Sequence, residues 1–207
     1  MESVALLVIA KEPLPGRVKT RLTPPCTPAQ AAALARAAIL DTIDVVSRTP
    51  AARRVLVFDG DQRGWLPEGF ELLAQRGDCL GERLAAAFAD VGMPALLVGM
   101  DTPQLTPALL VAGVRALAQR DVDAVLGPTV DGGYWSVGFN RAVPGAFDGV
   151  PMSTEWTWAR QRRRLGELGL RVEEQPRLRD VDTIEDAREV AGAAPHTRFA
   201  RAFAALA

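Results

Sequence analysis

The chain has 207 residues, 48% hydrophobic and 24% charged, the balance of a folded protein and not of a disordered one. Its 24 basic and 25 acidic residues leave a net charge of −1, which excludes an electrostatic nucleic-acid coat and a polybasic membrane anchor. The length suits a single domain with a sizeable core.

Residues 4–10 form a continuous apolar run of strand length, followed by a Pro- and Gly-rich loop. No basic segment precedes the run and no small-residue cleavage site follows it, so no signal peptide is expected. No apolar run approaches the roughly 18–20 residues that would cross a bilayer. Thr27, Pro28 and Gln30 supply an N-cap, a first helical position and a capping box, predicting a helix over 31–46. A strand is expected at 54–58, a helix at 81–91 and a strand at 95–100. Thr106 and Pro107 open a helix to about residue 120. Strands follow at 123–126 and 134–139, and Ser153 or Thr154 opens a basic helix to about 168. A strand at 171–175, a helix capped by Thr183 and a helical tail over 197–206 complete the chain. Strand alternating with helix predicts a single-domain α/β fold, a mostly parallel sheet with helices on both faces. Ligands of such sheets bind beyond the carboxyl ends of the strands.

Polar segments at 11–22, 59–61, 101–105 and 131–134 fall where that rule looks for them, and five segments could carry chemistry. Of the 24 basic residues only two are Lys, and both, Lys11 and Lys19, lie in the loop after the first strand with Arg17 and Arg21. Pro13, Pro15 and Gly16 restrict that loop, so the four cations are presented together, as phosphate recognition requires. The spacing is neither a Walker A loop nor a dinucleotide fingerprint. Read by itself, it is equally compatible with a solvated loop. Asp101, at the end of the 95–100 strand, stands where a carboxylate can hold Mg²⁺ or Mn²⁺ or can cap a turn. Asp131-Gly132-Gly133-Tyr134 reads as a ligand-facing Gly pair or as a hairpin turn. Asp180 and Asp182 share one side of an extended segment before the Thr183 cap. A fifth segment, residues 75–84, leads into a helix. The two cysteines, Cys26 and Cys79, are 53 positions apart with no histidine nearby, which gives no thiolate metal site and suits a reduced, cytoplasmic chain. His196, the only histidine, sits in an Ala/Pro stretch and argues against a Ser-His-Asp site.

Taken in order, residues 10–22, Gln-Arg-Gly-Asp-Cys-Leu-Gly-Glu-Arg-Leu at 75–84, Gly99-Met-Asp-Thr-Pro, Asp131-Gly-Gly-Tyr and Asp180-Val-Asp-Thr resemble a bacterial glycosyltransferase-like family. That family is known as "transferase 1, rSAM/selenodomain-associated" and belongs to the glycosyltransferase-A superfold of nucleotide-diphospho-sugar transferases. Val18-Lys-Thr-Arg-Leu22 is similar to a motif of the related phospholactate guanylyltransferases. The resemblance implies a Rossmann-like fold and an activated nucleotide as substrate. It places Lys11, Gly16, Arg17, Lys19 and Arg21 at the phosphates, and Gly77, Asp78 and Gly81 near base or ribose. Asp131, Gly132, Gly133 and Tyr134 would border the transferred group or acceptor, and Asp101 and Asp182 would hold Mg²⁺ or Mn²⁺. Lys19, Asp101 and Asp131 would carry catalysis. Position 99 is Gly, so the Asp-x-Asp of many glycosyltransferases is missing. The expected partners are a nucleotide-sugar or a nucleoside triphosphate and a small-molecule acceptor, without nucleic acid. Glycosyl transfer ranks first, nucleotidyl transfer to a phosphorylated acceptor second, and a non-catalytic nucleotide-binding module third.

Overall fold

The computed structural model describes residues 4–61 and 66–206. Its strands are β1 (Ala5–Lys11), β2 (Arg54–Asp59), β3 (Glu71–Ala74), β4 (Ala95–Val98), β5 (Ala124–Pro128), β6 (Tyr134–Phe139) and β7 (Val172–Glu174). The helices are α1 (Pro28–Ser47), α2 (Leu80–Val91), α3 (Pro107–Leu117), α4 (Thr157–Glu167), α5 (Ile184–Ala193) and α6 (Arg198–Ala204). All seven strands join one sheet in the order β3-β2-β1-β4-β6-β5-β7, and only β6 runs antiparallel to its neighbours.

Alternation along the strands builds two cores. Leu6, Val8 and Ala10 of β1, with Leu56 and Phe58 of β2 and Leu96 and Val98 of β4, pack under α1 and α3. The residues between them, Ala5, Leu7, Val55, Val57 and Leu97, pack on the other face against α2 and α4. Because β1 from Ala5 to Ala10 is covered on both faces, that stretch reads as an unbroken apolar run. A third cluster joins α1 to α5 and α6. Buried Asp41 of α1 anchors it by accepting the free backbone N–H groups of Arg198 and Phe199 at 3.0 and 2.8 Å.

The capping boxes form at Thr27 with Gln30 and at Thr183 with Asp186, and Thr106 caps α3. Three features depart from the sequence reading. The basic helix α4 starts at Thr157, not at Ser153 or Thr154. Ser153 takes a left-handed conformation (φ 59°), and the Trp158 amide, a first-turn donor, bonds to Gly132 O at 2.7 Å. The preceding residues therefore belong to the loop packed on Gly132. Strand β3 was not expected, because Glu-Leu-Leu-Ala carries no β-branched residue; it is extended because β2 offers it a parallel partner. The antiparallel insertion of β6 between β4 and β5 is likewise invisible to the strand–helix rhythm. Among the described residues no helix is long and apolar enough to cross a membrane.

β1 has β2 on one side and β4 on the other, so the chain reverses its direction of travel across the sheet between these strands. A crevice opens at such a point beyond the strands' carboxyl ends. Here those ends are Lys11 and the segment from Gly99 to Asp101.

Away from the crevice, Asp123 ties β5 to the start of β7. Its carboxylate, 9% exposed, accepts Arg171 Nε at 2.8 Å, Arg141 Nη1 at 2.7 Å and the Arg171 amide at 3.0 Å. Arg171, then Arg141, hold the Asp123 carboxyl well below the usual carboxylate range. A depressed carboxyl pKa gives stability that is present above the unfolded value, near 4, and fades as pH falls below it. Asp123→Asn is expected to lower the melting temperature at pH 7 on the order of 5 °C, the deficit narrowing below about pH 4. Thermal melts across that range check both parts.

Candidate active site

Three stretches distant in sequence meet at the crevice. Lys19, in the loop after β1, adopts a left-handed backbone conformation (φ 48°) ahead of a single 3-10 turn at Thr20–Leu22. Its ammonium donates to the carbonyl of Val181 and stands 2.6 Å from Asp101 Oδ1. Asp101 and Val181 are also joined through the backbone, Val181 N to Asp101 O at 2.9 Å. Among the described residues, Lys19 and Ser153 are the non-glycine residues at positive φ, and both line the crevice. Backbone held in that region concentrates at functional sites.

Around this junction lies a polar cavity of about 410 Å³, walled by the cations Lys11, Arg17, Lys19 and Arg21 and by Asp101, Asp131, Asp180 and Asp182. All four expected cations therefore converge. Lys11 and Arg17 are exposed, whereas the Lys19 side chain is 8% exposed. Lys19 is thus also a tether of the fold. Gly16 (φ 76°) turns the loop and has open space around it, so its part is conformational.

The carboxylates divide. Asp101 Oδ1 is buried against the Lys19 ammonium, while the side chain as a whole is 45% exposed, leaving Oδ2 open to the crevice. Asp182, the expected second metal ligand, is ion-paired with Arg21. Asp180 instead joins Asp101 and Asp131 in lining both this cavity and the one beside it. Burial, and then the Asp131 charge, push its carboxyl up to about 7, with Asp101 adding to the repulsion and Lys19 opposing it. Hard divalent ions take one or two carboxylates and complete their shell with phosphate oxygens and water. Asp101, through its open Oδ2, and Asp180 fit that requirement, although no three His, Cys, Asp or Glu groups among the described residues form a metal cluster. The alternation of Asp180 and Asp182 was legible in the sequence. Which of the two Arg21 would occupy was not.

A second cavity, about 420 Å³ and of a size suited to a nucleoside, runs from the end of β1 past Gln75, Asp78 and Leu80 to Tyr134 and Ser136. Gln75 and Arg83, which the sequence reading included in the 75–84 motif without a role, fix its far wall. Gln75 Nε2 donates to Ala10 O at 2.7 Å, and Arg83 reaches Gln75 Oε1 at 3.2 Å, Asp59 at 2.9 Å and Gly77 O at 3.1 Å. Asp78 lines the cavity. Gly77 (φ 125°) instead lets the loop pass Glu82, and Gly81 is buried against Met152 and Phe147, so both glycines shape the wall.

The Asp131 loop joins antiparallel strands β5 and β6, so it is a hairpin connection and a wall of the crevice at once. Asp131 Oδ1 accepts Thr129 Oγ1 at 2.5 Å and Gly133 N at 2.9 Å. Gly132 (φ 90°) lies against the Glu155 carbonyl, and a Cβ there would collide with it. Burial pushes the Tyr134 phenol above its ordinary range, keeping it a neutral hydrogen-bonding group.

A seven-stranded, mostly parallel sheet with a cation-lined crevice at its β1/β4 switch point defines the nucleotide-diphospho-sugar transferase fold, the glycosyltransferase-A type. Residues 42–154, more than half of the chain, match the family DUF2064, described as "uncharacterized protein conserved in bacteria", and the chain belongs to it. It is similar to a Desulfovibrio desulfuricans G20 protein provisionally assigned as a nucleotide-diphospho-sugar transferase. The two share 29% identity and a TM-score of 0.86 over 100% of this chain and 94% of that one. Rv0371c from Mycobacterium tuberculosis H37Rv, solved as a manganese complex, shares the fold at 20% identity and TM-score 0.58, over 91% of this chain and 97% of that one. CMP:2-keto-3-deoxy-manno-octonic acid synthetase, solved with CTP, does so at 13% identity and TM-score 0.57, over 91% and 97%. No curated protein matches the chain in sequence.

Asp180→Asn is expected to weaken Mn²⁺ binding by at least about tenfold in calorimetric titration. The same change should raise the melting temperature of the metal-free protein at pH 8, because it removes a carboxylate repelled by its neighbours. Asp182→Asn should leave Mn²⁺ affinity within about threefold, a contrast that follows from the Arg21 pairing.

Proposed function

We propose that the protein is a nucleotide-using transferase whose donor is a nucleoside-diphosphate sugar and whose product is a glycoside. The convergence of Lys11, Arg17, Lys19 and Arg21 on one cavity, beside a second of nucleoside size, carries this reading. The likeness to the provisionally assigned nucleotide-diphospho-sugar transferase supports it over the full chain. Lys11, Gly16, Arg17, Lys19 and Arg21 form the phosphate loop, and Asp78 faces the nucleoside.

In glycosyl transfer an acceptor oxygen bonds to the anomeric carbon as the bond from that carbon to the diphosphate breaks. Negative charge then grows on the leaving nucleoside diphosphate. Fixed cations stabilise it without reorganising, and the loop's ring-restricted backbone, with Lys19 pinned to Val181, supplies such cations. Asp101 and Asp180 are the groups that would hold a divalent ion, Mg²⁺ or Mn²⁺, which neutralises phosphate charge when bound. Asp131, held by Thr129 and the Gly133 amide, is the base that takes the acceptor's proton. Gly132 and Gly133 keep that wall thin, and Tyr134 presents a neutral phenol beside it.

The absence of Asp-x-Asp at position 99 and the number of loop cations favour a second reading, nucleotidyl transfer from a triphosphate with release of pyrophosphate. Incubation with nucleotide-sugars or triphosphates, with Mg²⁺ or Mn²⁺, separates the two by product. Free nucleoside diphosphate is expected, and pyrophosphate release that requires a phosphorylated acceptor would overturn the glycosyl reading.

Lys11→Ala and Arg17→Ala should each weaken nucleoside-diphosphate binding by about tenfold with little change in melting temperature, since both side chains are exposed. Lys19→Ala should lose affinity and stability together, because it leaves the buried oxygen of Asp101 without its cation. Titration and thermal melts of the three variants check this.

A further inference from the structure

Beside the phosphate cavity lies a smaller one, about 150 Å³, between the Asp131 loop and the segment that leads into α4. Its charge differs from its neighbour's. Asp101, Asp131 and Asp180 line it, and among the described residues no Lys, Arg or His does, Lys19 reaching Asp101 from the phosphate side. The cations of the crevice line the phosphate cavity and the nucleoside-sized one instead. The rest of its polar lining is largely hydroxyl, from Thr102, Thr129, Thr154, Thr157 and Tyr134.

Most of these hydroxyls are engaged. Thr129 Oγ1 donates to Asp131, Thr157 Oγ1 donates to Pro151 O at 2.9 Å, and the Tyr134 hydroxyl lies 3.4 Å from Gln161 Oε1. Thr102 is the exception. It is 2% exposed, it lines the cavity, and its Oγ1 has no hydrogen-bond partner. A buried hydroxyl left in that state costs stability unless a ligand completes it.

We infer that this cavity takes a hydroxyl-rich moiety without negative charge, a neutral sugar ring or similar polyol, and discriminates against ligands bearing phosphate or carboxylate there. The inference rests on the reading of the crevice as a nucleotide-using transferase site and adds the charge class of the second ligand group. A hydroxyl both donates and accepts, so it can satisfy Thr102 Oγ1 and also donate to the carboxylates. An anionic group would meet three carboxylates, of which Lys19 pairs only Asp101. The volume is below the usual range of about 300–1,000 Å³ for drug-sized ligands, so one ring or the end of a larger molecule fits. The occupant is either the sugar of the donor or the acceptor, and the same chemistry serves both.

The test is ligand-observed saturation-transfer NMR on the magnesium-loaded protein, with inorganic pyrophosphate filling the cationic cavity. D-glucose, D-glucuronate and glucose 6-phosphate are the probes. Glucose should bind, and the two anionic probes should bind at least about tenfold more weakly. Thr102→Val, which keeps the shape and removes the unpartnered hydroxyl, should weaken glucose binding by about tenfold without lowering the melting temperature. Thr154→Lys, at an exposed position of the lining, should narrow the gap between glucose and glucose 6-phosphate. The inference is overturned if either anionic probe binds as tightly as glucose, if glucose does not bind, or if its binding ignores Thr102→Val. Nucleotide-sugars added to the glucose-bound sample assign the occupant: displacement of glucose marks the donor sugar, and simultaneous binding marks the acceptor. Titration of nucleoside diphosphates into the protein without pyrophosphate reports separately on the transferase reading. Glucose selectivity without any nucleotide binding would sink that reading and leave the cavity's charge selectivity standing.

Discussion

The crevice depends on one buried cation. Lys19 bonds the carbonyl of Val181 and faces Asp101 Oδ1, while Val181 and Asp101 are joined through the backbone. One side chain thereby fastens the loop after β1, the end of β4 and the segment before α5, stretches separated by up to 162 positions. Burying an ammonium is costly unless opposite charge and hydrogen bonding meet it. Here both do, and the residue bears the cost in a left-handed backbone conformation as well. Within an otherwise Arg-rich chain, the compact ammonium suits this position better than a planar guanidinium would.

From that junction the charges sort themselves. Exposed Lys11 and Arg17 stand on the phosphate side, and Arg21 neutralises Asp182. Asp101, Asp131 and Asp180 are left facing a shared space with one inward cation, Lys19, between them. Burial and mutual repulsion make that arrangement unfavourable until a positive charge enters, which is the electrostatic basis of the proposed metal-assisted reading. The Arg83–Gln75–Asp59 brace and the Gly132–Glu155 contact do no chemistry themselves. They hold the two outer walls at a fixed separation, and fixed separation is what lets electrostatic stabilisation act without reorganisation.

Much of this was readable along the chain because it is local. The unbroken apolar run of β1 declares a strand covered on both faces, and the threonine caps at Thr27, Thr106 and Thr183 declare helix starts within a few residues of each end. Strand ends followed by Lys11, Asp101 and Asp131 declare a crevice, since ligands of such sheets gather beyond the strands' carboxyl ends. The start of α4 was misjudged because Ser153 and Thr154 look like caps. The Trp158 amide takes its acceptor from Gly132, which is 26 positions upstream.

By itself the sequence determined the alternation of strand and helix, the two apolar faces, the clustering of four cations in one loop and the position of Asp101, because each follows from short-range periodicity and capping chemistry. The tertiary structure alone decided that β6 runs antiparallel between β4 and β5, that Lys19 is buried while Lys11 and Arg17 are not, and that Asp180 rather than Asp182 faces Asp101 and Asp131. Those outcomes turn on which charges come to lie opposite one another across long sequence separations. That pairing is set when the sheet closes the chain back on itself, and no local pattern encodes it.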